Sequence, residues 1–230
     1  MAHATTIQWK RISIEFAAIV GSILLAFSID AWWQEAQDQK SIKHSLARLA
    51  DNLSATVSDL QSDLEILDHS AEAARMLING ESVDISKGKA TASLAKLFDT
   101  RSPAVESAEY KALTSTGRLR DIPNVDIVRV LTSIYDQMPK LNRLADKTGN
   151  EARNLRKLIA PEIVYDQIGS FSLDRPTFEL SDRGLEILTR TDIREQIVDA
   201  GYRASFQAVR YRALIADIEN AIVLIEVELQ

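Results

Sequence analysis

Residues 12–33 constrain this chain more than any other stretch, because they read as a helix that crosses a lipid bilayer. The central run, 16–29, carries no charge. Trp9, Lys10 and Arg11 precede the span, and Trp32 and Trp33 close it. At about 1.5 Å per residue, Trp9 and Trp33 lie roughly 36 Å apart, the spacing of two aromatic belts around a hydrocarbon core. These five residues are therefore expected to anchor the span at its boundaries. Glu15 and Asp30 lie inside it, each about one turn from an end, where a carboxylate can reach headgroups, water or a neighbour. Two other readings compete with a retained anchor. Ala26-Phe27-Ser28 fits a small-x-small cleavage site, and an uncharged run of about 14 residues also suits a buried helix. The acidic Glu15 at the opening of the apolar region argues against cleavage, so an uncleaved anchor is expected.

Orientation follows from charge. Lys10 and Arg11 precede the span and no acid comes before Glu15, so the positive-inside rule places 1–11 in the cytoplasm, 12–33 in the membrane and 34–230 outside. In a Gram-negative bacterium this is a single-pass inner-membrane protein with a periplasmic bulk domain. The absence of cysteine suits an oxidising compartment without demonstrating one. A net charge of −6 with no basic stripe argues against a nucleic-acid partner. About eleven residues on the inner side leave no room for an output domain, so any signal is expected to pass through the span or a partner.

The remainder is expected to be all-α. Glycine and proline are scarce, and apolar residues recur at helical spacing. From Ile42 to Leu77 ten steps cover 35 residues, an average of 3.5, which is the seam of a coiled coil or long bundle helix. Asn79-Gly80 reads as its C-terminal stop. A second seam runs from Ile193 to Leu229, with Asp192 and Glu195 as an expected capping box. Between these, 91–98, 103–116 (proline at its start) and 125–159 read as helices, with Pro139 as an expected kink or break, and 161–180 as an ordered connection. Alternating directions give an up-down four-helix bundle, anchored by the transmembrane helix that continues into its first member.

The order Glu15, Gly21, Leu24-Leu25-Ala26, Asp30, Trp33, Glu35 resembles the opening block of a family of bacterial single-span membrane proteins of unknown function. Tyr110-x-x-Leu113-x-x-x-Gly117-x-Leu119 is similar to that family's middle motif. Phe27 and Ala31-Trp32 depart from the usual residues. The resemblance implies a retained anchor and an exported domain, and it implies no activity.

Candidate functional residues fall into two groups. Glu15 and Asp30, about 60° apart on an ideal helix, flank Ala18, Ser22 and Ala26, and with Gly21 these form the expected helix–helix interface within the membrane. The same two carboxylates would serve an ion-coupled accessory subunit. Arg203, Phe206, Arg210 and Tyr211, with Tyr202 and Arg212 nearby, are the nearest approach to a ligand site, in which arginines would clamp a small acidic ligand beside aromatic walls. His44 and His69 are about 37 Å apart on one helix and cannot share a metal, so no metal or cofactor is expected. Ser86/Lys89 and Ser93/Lys96 match Ser-x-x-Lys without its companion motifs, and no nucleophile–base pair supports an enzyme. The sequence therefore suggests an interaction or scaffold subunit, held in the lipid bilayer and self-associating, with a membrane-protein partner as a further expectation. A sensory module for an acidic ligand is the alternative.

Overall fold

The computed structural model describes residues 9–79, 85–165 and 178–230, with side chains from Glu15 onward. One helix, α1 (Trp9–Asn79), runs unbroken for 71 residues. It is followed by α2 (Lys87–Phe98), α3 (Ala108–Ser115), α4 (Val125–Ile159), a two-stranded antiparallel pair β1 (Ile163–Tyr165) and β2 (Phe178–Leu180), a single turn α5 (Gly184–Ile187), and α6 (Thr191–Leu229). The chain is all-α, with only these two three-residue strands among the described residues.

The two seams read from the sequence meet each other. Ile42, Leu46, Leu49, Leu53, Leu60 and Leu67 are almost wholly buried, as are Ala204, Ala208, Tyr211, Ile218 and Ile225 on α6. The pairing is antiparallel: Arg194 donates to the Ile78 carbonyl at 3.0 Å, Gly201 lies against Ala74, and Arg212 reaches Asp68. Each of these leucines contributes about 1.5–3 kcal/mol by leaving water. Helix α4 packs along an adjoining side of α6, also antiparallel, with Gln137 donating to Asp217 at 3.2 Å and Ile127, Leu131 and Ile134 in the same core. The second leg descends in pieces: α2 against the far end of α1, then an extended stretch, then α3 beside Arg48. A second apolar cluster fills the far end, where Leu94 and Leu97 meet Leu155, Ile193 and Ile197.

Four local expectations change. The helix expected at 91–98 begins earlier, at Lys87, where Ser86 caps it by accepting from the Lys89 N–H. The helix expected at 103–116 begins only at Ala108, because tertiary bonds hold the preceding residues outside the helix. Gln207 donates to the Arg101 carbonyl at 3.2 Å, Tyr135 donates to the Glu106 carbonyl at 3.0 Å, and Pro103 is buried. Pro139 does not break α4. It lies on the solvent side, where water can meet the Tyr135 carbonyl it frees, while Ile134 and Leu141 hold both halves of the helix in one core. The capping box at Asp192 is absent: α6 starts at Thr191, and the Asp192 carboxylate pairs with Arg190 at 2.6 Å. In contrast, α4 has the expected bounds, with Asn124 as its cap accepting from the Asp126 N–H at 3.0 Å. Helix α1 ends at Asn79, and Gly80 lies outside the described residues.

Candidate functional site

The first feature is a bare helix. From Glu15 to Lys40 every residue of α1 is exposed, and Ile42 is the first buried one. Phe16, Leu24, Leu25, Phe27, Trp32 and Trp33 are each 60 % exposed or more. A run of large apolar side chains without any protein cover is what water disfavours and lipid accepts. The helix is long and apolar enough to cross a membrane. Ser22 and Ser28 donate to the carbonyls of Ala18 and Leu24, both at 2.8 Å, so their hydroxyls carry no unmet hydrogen into an apolar surrounding. Because α1 is continuous, Glu15, Ala18, Ser22, Ala26 and Asp30 share one side of it, with Trp33 in line. Gly21 lies about 120° away from Glu15, outside that stripe, and joins Ala17 and Ser28 on another face. The backbones of Trp9, Lys10 and Arg11 belong to α1, while their side chains lie outside the described set.

A collar grips α1 just beyond this bare segment. After α3, Gly117 takes φ +72°, a left-handed turn that favours glycine, and a 3-10 turn follows at Arg118–Asp121. This aims Arg118 at α1, where it donates to the Ser41 hydroxyl at 2.9 Å and the Asp38 carbonyl at 3.3 Å, with the Asp38 carboxylate 3.6 Å away. Each residue of the middle motif has a part here. Tyr110 stacks on Tyr135 with ring centres 3.9 Å apart, Leu113 is buried, Gly117 makes the turn, and Leu119 packs on the core. The stretch Tyr110–Leu119 thus meets α1 three to six residues beyond Glu35. Sequence reasoning missed Arg118 as the link, although its place beside the glycine break was the available signal.

Of the arginine–aromatic cluster, Arg203, Phe206 and Arg210 share one side of α6, and Tyr211 leaves them. Tyr211 points into the core and is wholly buried. Phe206 and Tyr202 stack outside it with centres 6.3 Å apart, and Arg210 lies over the Phe206 ring at 5.2 Å. Arg203 is half-buried between these directions, and Arg212 turns to Asp68. Phe206 and Arg210 thus face outward while Tyr211 faces the core.

What α6 buries instead is a polar staple that sequence reasoning missed. Gln207 is fully buried, and its amide donates to the Tyr211 hydroxyl at 2.9 Å as well as to Arg101. A glutamine at a core position between Ala204 and Tyr211 was the visible signal. Burial pushes the Tyr211 hydroxyl well above its ordinary pKa, the Gln207 bond opposes this, and Asp63 adds to it. Asp63 is itself raised, chiefly by burial; Arg101 works against that, and Asp59 and Asp99 reinforce it. Tyr135 is pushed up to about 12, mainly by burial, with Glu106 and Tyr110 contributing.

The remaining candidates have structural roles. Ser86 caps α2 by accepting from the Lys89 N–H at 3.4 Å, and Ser93 is buried in α2. His44 and His69 are exposed on α1. Among the described residues no three His, Asp or Glu side chains come together to hold a metal ion. An open apolar groove of about 250 Å³ lies between Ala71, Ala74 and Ile78 of α1 and Val198 and Tyr202 of α6. Comparison with family models, curated proteins and solved structures finds no match to this chain.

Proposed function

We propose that the chain is a single-pass, membrane-anchored interaction subunit: a four-helix bundle displayed outside the membrane, its N-terminus cytoplasmic, held by residues 12–33 and self-associating. One observation carries the reading. The apolar first third of α1 is bare, and the same unbroken helix then supplies the longest face of the domain core. A lipid phase would bury that surface, and a helix without a joint would make span and domain one body. The base collar supports the same reading, since Arg118 fixes α1 about 8 Å beyond Trp33, close to where headgroups would end. The broken second leg, α2 to α3, completes four layers around α1, α4 and α6. The acidic-ligand alternative receives less support, because Tyr211 is turned into the core and Arg210 lies over the exposed Phe206 ring.

Two measurements test this. After alkaline carbonate extraction, the full chain is expected in the membrane pellet and a 34–230 fragment in the supernatant. The chain has no cysteine, so single Ala4→Cys and Ser58→Cys variants report topology with an impermeant maleimide. Ser58→Cys should label in intact spheroplasts and Ala4→Cys only after permeabilisation. Full-length protein in the supernatant, or the opposite labelling, refutes the anchor. Mild-detergent copurification at native expression tests the interaction role: recovery as single copies without any stoichiometric protein would refute it.

A further inference from the structure

Helix α6 carries two heptad seams, and only one of them is used by the fold. The buried seam passes through Ala204, Ala208 and Tyr211. About 160° around the helix, a second series runs Tyr202, Phe206, Val209, then Asn220, Val223, Val227. Ala213 and Ala216 occupy the intervening stops, so the steps are 4-3-4-3-4-3-4 without interruption. Every one of these residues is exposed, with Tyr202, Val209, Val223 and Val227 each above 55 %. A strict 3.5-residue apolar repeat sustained over almost four heptads is the pattern a second helix reads. A solvated helix face has no reason to keep it.

We infer that this outer face of α6 is the contact through which a second copy of the chain binds, as a parallel, in-register pair. The parallel sense rests on the membrane reading above: two copies anchored in one bilayer present α6 in the same direction. In that arrangement Asn220 faces Asn220 of the second copy. A lone amide at such a position satisfies itself across the pair and fixes register and strand number at some cost in stability. The two alanines place the closest backbone approach at the centre of the seam. The flanking charges agree. Residues just before one seam position meet those five further on in the other helix, which sets Arg212 and Asp217 opposite each other as unlike charges, twice by symmetry, beside the bonds they already make to Asp68 and Gln137 within the chain. Ser205 then meets Arg210 and Glu219 meets Leu224, so no like charges are opposed. The upper groove, with Tyr202 on its edge, continues this face.

The test uses cysteine pairing in the full chain in native membranes. Val209→Cys and Asn220→Cys are each expected to give a disulfide-linked dimer on mild oxidation, whereas Asn142→Cys on exposed α4 should not. A mixture of Val209→Cys and Asn220→Cys chains that cross-links only between the two sites would overturn the parallel pairing. A lack of cross-linking at both sites would overturn the seam. As a second measurement, Val209→Glu with Val223→Glu should lower the mass of the detergent-solubilised protein to one copy while its helical content stays unchanged. A retained dimer mass would refute the assignment. Carbonate extraction of the same membranes reports anchoring separately, so loss of the anchor and loss of the seam give different results.

Discussion

Gly201 gives the sharpest test of how α1 and α6 pack. A methyl group added there would lie 2.3 Å from the Ala74 Cβ and 3.8 Å from its Cα. Carbon atoms pack at about 3.5–4.0 Å, so Gly201→Ala forces the two helices apart locally by more than about 1 Å. Ala74 cannot yield, since its Cβ is fixed to the α1 backbone. Two effects oppose each other. Alanine favours the helix over glycine by about 0.8–1.0 kcal/mol, whereas overpacking a tight core costs about 1–3 kcal/mol. A clash this deep belongs near the top of that range, which leaves a net loss of about 2 kcal/mol. Chemical unfolding of the full chain in detergent, followed by circular dichroism, measures it. Ala74→Gly alone should cost about 1 kcal/mol through lost helix propensity. The double variant should fall near the parent, although simple addition would place it about 3 kcal/mol below. If Gly201→Ala instead stabilises the protein by about 1 kcal/mol, as at an open helix position, the close crossing of α1 and α6 does not exist.

Three further outcomes follow from the same packing. Tyr135 is raised to about 12 in the folded chain, so its contribution is complete below pH 10 and disappears as pH climbs from 10 through 12; an alkaline unfolding titration should show a steep loss in that window, shallower in Tyr135→Phe. Asp63 is also raised, so its charged form works against the fold, and the advantage of Asp63→Asn over the parent should grow as pH rises above the ordinary aspartate range; urea midpoints at acid and neutral pH would check the sign. The Arg212–Asp68 pair is about half exposed on both sides, and Arg212→Ala should cost no more than about 1 kcal/mol, with less effect at high salt in the same assay.

The long seams were readable because their periodicity states which residues turn inward. Ile42, Leu77 and Ile193, which mark the seams by their spacing, are buried, as are Leu49, Leu60 and Ile218 at the steps between. Helix α4 was bounded correctly for a similar reason, with Asn124 immediately before a long periodic run. Local signals failed where a distant residue decided the outcome. Nothing near Pro103 announces that Gln207 and Tyr135, about 100 and 30 residues further on, will hold its neighbours outside a helix. The Arg203–Tyr211 cluster failed differently. Proximity along a helix is not proximity on one face, and the roughly 140° between Phe206 and Tyr211 sends one outward and the other inward. The outer seam of α6 escaped notice because the stronger inner seam already accounted for the helix, and alanines at its centre give little apolar signal.

The continuity of α1 makes the chain a lever. From Ser22 to Asn79 it contains neither glycine nor proline, so nothing in that stretch offers a joint. Trp33 and Asn79 are about 69 Å apart along the axis. With residues 12–33 in a bilayer, as proposed above, a 10° change in tilt there would sweep the far end through about 12 Å, and a quarter-turn of that segment would turn the rest of the domain with it. Bilayer thickness, curvature or a neighbouring protein pressing on one short segment would be amplified, without any ligand, into a displacement several atoms wide at the far tip.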